Sequence, residues 1–105
     1  MFESTKWKYL GESKSNSLTT IVESESGDEK IEIIKRYDFN SSLQRMSVII
    51  NSKKSYFAFT KGSPEKLKQL CLSDSVPPDF DKVLSHYTAQ GLRVIIITYF
   101  KFLFF

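Results

Sequence analysis

The stretch Tyr56-Phe57-Ala58-Phe59-Thr60-Lys61-Gly62-Ser63-Pro64-Glu65 leaves the chain little conformational choice. Phe57 and Phe59 share one face at period two, and Tyr56, Ala58 and Thr60 share the other, which predicts a strand ending at Lys61. Gly62 has no Cβ, so the backbone there is free to take positive φ or to let a ligand come close. Ser63 suits an N-cap, Pro64 the first helical position and Glu65 the first turn, so Lys66-Leu67-Lys68-Gln69-Leu70 continues as helix. A strand-end lysine beside a glycine and a helix start is chemically suited to an anion such as phosphate. A plain β-to-α turn with an ordinary surface lysine fits the same residues, and the stretch alone leaves both readings open.

Upstream, Leu18-Thr19-Thr20-Ile21-Val22 predicts a short strand by its β-branched content. Gly11–Ser17 reads as a loop, and Trp7, Tyr9 and Phe2 are candidate core anchors. Glu23–Lys30 is a solvated turn with Gly27-Asp28 at its tip. Lys30–Phe39 predicts a long strand with Ile31, Ile33, Tyr37 and Phe39 on one face, interrupted by Lys35. Asn40-Ser41-Ser42 breaks it, Arg45–Ile50 is the next strand, and Asn51-Ser52-Lys53-Lys54 joins that strand to Tyr56–Lys61 as a hairpin.

Beyond the first helix, Ser73–Pro78 reads as a linker without regular structure. Asp79 starts a second helix that runs to about Gln90, with Phe80, Val83, Leu84 and Tyr87 as an apolar stripe and Gly91 as the stop. Arg93–Tyr99 is an unbroken apolar run, expected to be a central strand buried on both faces. Residues 100–105 (FKFLFF) read as an apolar tail at a truncation end. The expected class is α+β, a mainly antiparallel sheet flanked by two helices.

Composition narrows the function classes. At 41% apolar and 26% charged the chain is globular in type, and 105 residues make one small domain at most. The net charge of +3 is spread among acids, which argues against nucleic-acid binding. One cysteine, Cys71, excludes an internal disulfide, and with a single histidine, His86, no ordinary zinc site can be assembled. Cys71 reads as a small apolar residue near a helix end and His86 as a helix surface residue. The N-terminus has no apolar leader, and no segment reaches the roughly 20 apolar residues of a membrane helix.

The strings YDFNSSLQRMSVI (37–49), KGSPE (61–65) and GLRV (91–94) occur in the order and spacing of one family. Together they resemble the nucleotide-binding domain of P-type ATPases, whose lysine signature is K-G-[AS]-P-E. SVPPDFDKVLSHYTAQGLRVI (75–95) and MFESTKW (1–7), with Lys6 where glycine is usual, bring the resemblance closest to the type V, cation- and polyamine-transporting subgroup. It covers residues 1–99, which makes 1–99 a partial cytoplasmic nucleotide-binding domain.

The resemblance implies that adenine stacks on Phe39, that Lys61 lies in the ATP pocket, that Gly62 lets the nucleotide approach, and that Arg93 reaches toward the phosphates. From periodicity alone, Phe39 is a core aromatic at a strand end and Arg93 a strand-edge ion-pair partner. Gln44 stands where many P-type pumps carry lysine, so the resemblance implies that one positive pocket contact is either absent or replaced by an amide. The acidic pocket residue of the family falls before Met1. The chain contains no D-K-T-G, T-G-D or G-D-G-x-N-D motif.

The expected function is therefore an ATP-binding domain that presents ATP to a phosphorylation domain outside this chain, with Mg2+ serving the parent but not liganded here. The implied partners are ATP and the phosphorylation domain, actuator domain and membrane helices of the parent pump, at the cytosolic face of a membrane. Lacking the phosphorylated aspartate, the chain alone is expected to bind ATP without hydrolysing it. The alternative is a truncated, non-catalytic interaction module without nucleotide binding.

Overall fold

The computed structural model describes residues 5–12 and 20–102. Phe2, residues 13–19 and residues 103–105 lie outside the described residues. The strands are β1 (Lys8–Glu12), β2 (Thr20–Glu23), β3 (Lys30–Asn40), β4 (Arg45–Ser52), β5 (Ser55–Gly62) and β6 (Ile96–Phe102). The helices are α1 (Pro64–Leu70) and α2 (Phe80–Ala89). The strands form one antiparallel sheet in chain order, β1 to β6, as the α+β expectation required. The chain divides into two compact units, one of residues up to Tyr37, Val48–Phe59 and Tyr99 onward, the other of Asp38–Ser47 and Thr60–Thr98.

In the first unit, β1 and β2 pair with a register shift between Tyr9 and Gly11, where the ladder bulges. Gly11 and Glu12 thus belong to a strand rather than to the expected loop. Tyr9 is 61% exposed and is not a core anchor. β2 pairs with β3 in the register Thr20↔Ile33 to Glu23↔Lys30. Their turn is closed by Gly27 N–H donating to Ser24 O (3.0 Å), with Gly27 at φ +78°. β5 and β6 are joined by aromatic contact on both faces. Phe59 meets Phe57 at 5.9 Å and Tyr99 at 6.0 Å, while Tyr56 stacks on Phe102 at 5.8 Å. Such pairs contribute about 0.5–1.5 kcal/mol each beyond their burial.

The β4–β5 hairpin turns on Lys53 and Lys54, with φ of +49° and +63°. Two successive positive-φ residues make a type I′ turn, the form that matches strand twist. Lysine holds this conformation only against its Cβ, at a cost of roughly 1–2 kcal/mol per residue.

In the second unit, Pro64 and Leu67 of α1 are buried, and Leu67 is fully so. Lys68 ties α1 to α2, its Nζ donating to both carboxylate oxygens of Asp81 at 2.9 Å and lying 5.3 Å from the Phe80 ring centre. α2 ends as the sequence predicts. Gly91 takes φ +79°, its N–H donates to Thr88 O (3.0 Å), and Leu92 N–H donates to Tyr87 O (3.2 Å). These two bonds are a Schellman motif and satisfy carbonyls that the helix end would otherwise orphan. Cys71 follows α1 half-buried and His86 is exposed on α2.

Three further expectations are corrected. The run from Arg93 does not start a strand at once: residues 92–95 are irregular and β6 begins at Ile96. β6 is also not central but last in the sheet order, with Ile97 and Tyr99 each 70% exposed. An unbroken apolar run fits a strand flanked on both sides, but here no further strand among the described residues follows β6 in the sheet order. The strand continues through Phe100-Lys101-Phe102. The third correction is small: Ser73–Ser75 before the two prolines is a single 3₁₀ turn.

Replacing Lys53-Lys54 by Asn-Gly relieves two unfavourable φ angles at the loss of the exposed Lys53–Glu29 pair (3.6 Å), which is worth little in water. The double variant is expected to be more stable by about 1 kcal/mol. A urea melt checks this, and an unchanged or lowered midpoint contradicts it.

Candidate functional site

The carboxyl ends of β3 and β5, the start of β4, α1, α2 and the segment after α2 enclose one cleft within the second unit, of about 730 Å³. Its lining includes all five residues singled out in the sequence: Phe39, Gln44, Lys61, Gly62 and Arg93. They are 54 residues apart at the extremes; the antiparallel path of β3, β4 and β5 brings Phe39, Gln44, Lys61 and Gly62 together, and the segment leaving α2 brings Arg93.

Phe39 is 61% exposed at the end of β3, so its ring is not a core aromatic. Lys61 is exposed on the penultimate residue of β5. Arg93 is exposed two residues past Gly91, set by the Schellman turn rather than by a strand. The strand-edge ion-pair reading of Arg93 therefore has no strand to rest on.

Gly62 plays a different structural part from the one expected. It is buried and does not use positive φ. A Cβ built on it would run into the carbonyl oxygen of Gln44 and lie 2.9 Å from Arg45 Cα. The glycine is needed because the β4 backbone passes against it.

Gln44 likewise acts first through its backbone. It takes φ +53°, and its carbonyl accepts the N–H of Ser63 at 3.1 Å. The turn before it is built by Asn40, whose Oδ1 accepts the N–H groups of Ser42 (2.9 Å) and Leu43 (3.1 Å), while its carbonyl accepts that of Gln44 (2.7 Å). Side-chain bonds of this kind are the reason asparagine favours turns.

The sequence reading missed Met46, Leu84, Thr88 and Leu92, which supply apolar surface and one hydroxyl. Leu84 was visible as part of the α2 stripe, and Thr88 lies one turn further on the same face. The Thr88 hydroxyl donates to Leu84 O (3.0 Å), leaving its oxygen as an acceptor.

Charge in the cleft favours an anion: Lys61 and Arg93 face a single carboxylate, Glu65. The backbone N–H of Glu65 itself and the Ser63 hydroxyl (2.8 Å to Oε2) hold that carboxyl below its ordinary range, so it is ionised at neutral pH. Ser63 thus spends its hydroxyl on Glu65 and makes no side-chain cap bond to α1. No helix of the described residues is long and apolar enough to cross a membrane.

Replacing Gly62 by alanine forces a methyl into the Gln44–Arg45 backbone, which has no flexible side chain to yield. The expected loss is about 1–3 kcal/mol, read as a lowered urea midpoint. A variant as stable as the parent sequence would show that the two backbones part freely.

Comparison with known proteins gives the cleft a lineage. Residues 3–103 match the family model described as P-type ATPase, cytoplasmic domain N. Polyamine-transporting ATPase 13A3 of Mus musculus is 45% identical over 74 residues, covering 69% of this chain and 6% of that protein. Probable cation-transporting ATPase 13A5 of Homo sapiens is 37% identical over 111 aligned positions, covering 94% of this chain and 9% of that protein. Cation-transporting ATPase catp-5 of Caenorhabditis elegans is 44% identical over 70 residues, covering 62% of this chain and 6% of that protein. The chain thus spans less than a tenth of the length of these relatives. With 3–103 matched by the family model, the chain belongs to the N-domain family of the P-type ATPases, among relatives of the type V subgroup.

Proposed function

We propose that this chain is the ATP-binding part of a type V P-type ATPase, a partial nucleotide-binding domain that offers ATP to a phosphorylation domain elsewhere in the parent. The observation that carries the reading is the convergence of Phe39, Gln44, Lys61 and Arg93 on one cleft of about 730 Å³. That volume lies within the usual range for small-molecule sites. The cleft is apolar along Met46, Leu84 and Leu92 and cationic at Lys61 and Arg93. A purine with a polyanionic tail has the same division.

In this reading the exposed ring of Phe39 takes the adenine, a stack worth roughly 1–3 kcal/mol by analogy with bases on aromatic platforms. Lys61 offers a compact charge and Arg93 a planar fork to the phosphates. Gln44 supplies an amide where a lysine would add charge. Mg2+ would travel with the nucleotide. Transfer of the γ-phosphate needs an aspartate that the chain does not contain in the required motif, so binding is the whole of its own task. By analogy with the relatives named above, the parent would move a cation or a polyamine.

A second reading, a non-catalytic interaction module, draws on the apolar side chains left exposed in the second unit, Leu70, Leu72, Val83 and Tyr87. Ligand binding separates the two. Titration of the nitrogen-labelled chain with ATP, followed by NMR, is expected to give saturable shifts at Phe39, Lys61, Gly62 and Arg93. The dissociation constant should fall near the millimolar range, about −4 kcal/mol. Phe39→Ala should weaken binding by about 5- to 150-fold, the equivalent of the stack, and no phosphate should be released. A folded chain without saturable shifts would sink the nucleotide reading and leave the interaction module. Sustained hydrolysis abolished by Lys61→Ala would overturn the binding-only assignment.

A further inference from the structure

We propose that Asn40 is a positioning residue that fixes the spacing between the purine face of Phe39 and the phosphate-binding Lys61. The proposal rests on the nucleotide reading above and adds a residue that does not touch the ligand.

The covalent and hydrogen-bonded path between the two contacts is short. Phe39 is bonded to Asn40. Asn40 gathers three successive N–H groups, those of Ser42 and Leu43 on Oδ1 (2.9 and 3.1 Å) and that of Gln44 on its own carbonyl (2.7 Å). This winds residues 41–44 into one tight turn and delivers Gln44 at φ +53°. In that conformation the Gln44 carbonyl accepts the Ser63 N–H at 3.1 Å. Ser63 stands two residues from Lys61, and between them Gly62 is packed against the same Gln44–Arg45 backbone too closely for a Cβ.

Phe39 and Lys61 are therefore the two ends of a latch in which the side-chain bonds of the 41–44 turn, among the described residues, come from Asn40 Oδ1. A left-handed Gln44 is disfavoured by its own Cβ, so the turn needs the Asn40 bonds to hold it. An amide or carboxylate oxygen on a short stem can reach both N–H groups; alanine has no acceptor to offer.

A bidentate ligand reports such spacing. Adenine on Phe39 and phosphate on Lys61 each bind weakly alone, and the covalent link makes the second contact intramolecular, with an advantage set by geometry. Loosening the latch should leave the separate contacts in place and reduce that advantage.

The test uses the full chain and three probes: adenosine, inorganic tripolyphosphate and ATP. In Asn40→Ala, adenosine and tripolyphosphate should bind as in the parent sequence, while the preference for ATP over tripolyphosphate should fall about five- to twenty-fold. In Asn40→Asp, the acceptors return. Its charge shifts tripolyphosphate and ATP together, so the preference should be restored. Amide hydrogen exchange at Ser63 in the ligand-free chain should quicken in Asn40→Ala and return in Asn40→Asp.

An unchanged preference in Asn40→Ala overturns the positioning role. So does a parallel loss for all three probes, which is what general destabilisation would give. Unchanged exchange at Ser63 removes the latch while leaving the nucleotide reading intact. If the parent sequence binds no ATP, the nucleotide reading fails and the positioning role falls with it.

Discussion

The arrangement of the second unit depends on one close approach, the backbone of Gly62 against that of Gln44 and Arg45. It exists because position 62 has no Cβ, and it is locked by the Ser63 N–H donating to the Gln44 carbonyl. Its consequences run in both directions along the chain. Toward the C-terminus it places Ser63 and Pro64, and so the start of α1. Toward the N-terminus it holds the 41–44 turn and with it the end of β3. A strand end, a turn and a helix start are thereby brought to one point by backbone contacts, which are less yielding than side-chain packing.

The same economy explains how the chain folds with so little interior. Leu67 is the one fully buried hydrophobic among the described residues. A chain this small has a high surface for its volume, and the usual remedy of a thick core is not open to it. Order in the first unit comes instead from strand pairing and from the aromatic contacts of β5 with β6. In the second, α1 and α2 are linked by an ion pair and a cation over a ring, both partly exposed. Interactions of that sort contribute little each. The backbone junction at Gly62 accordingly carries much of the definition of the cleft.

How far this was legible in the sequence varies with the kind of signal. β3, β4, β5 and both helices follow from alternation, from helical spacing and from punctuation by Asn40, Gly62, Pro64 and Gly91. Those residues act locally, and local chemistry survives translation into structure. The place of β6 was not legible. RVIIITY has the composition of a central strand, but sheet position is set by what lies beside a strand, which its own residues do not encode. The Lys53-Lys54 turn was hidden for the opposite reason. The backbone needs positive φ there, and the residues present are poor at it. For the site, local chemistry singled out Lys61 beside Gly62, and the family resemblance added Phe39, Gln44 and Arg93; all of them line the cleft. Neither reached the backbone parts played by Gly62 and Gln44, because a close backbone approach and a carbonyl hydrogen bond leave no chemical signature in a sequence. Asn40 was read only as a strand breaker; the turn it builds appears once the chain is folded.

The walls of the cleft are carried by different kinds of structure. Phe39 and Lys61 stand at the ends of β3 and β5, the two strands that flank β4, and are joined through the Gln44–Ser63 bond. Sites on such elements are held more narrowly than sites on loops. Arg93 leaves α2 through the Schellman turn and lies in an irregular segment before β6 begins. Its planar fork is therefore carried by an irregular segment rather than by a strand. On the proposed reading, the contacts to the base and from Lys61 would be offered by the sheet, and that from Arg93 by the segment after α2. If the domain holds ATP for another domain to use, as proposed above, a base contact from the sheet and a phosphate contact from a loop is the useful asymmetry, since the phosphates are the part that the other domain would have to reach.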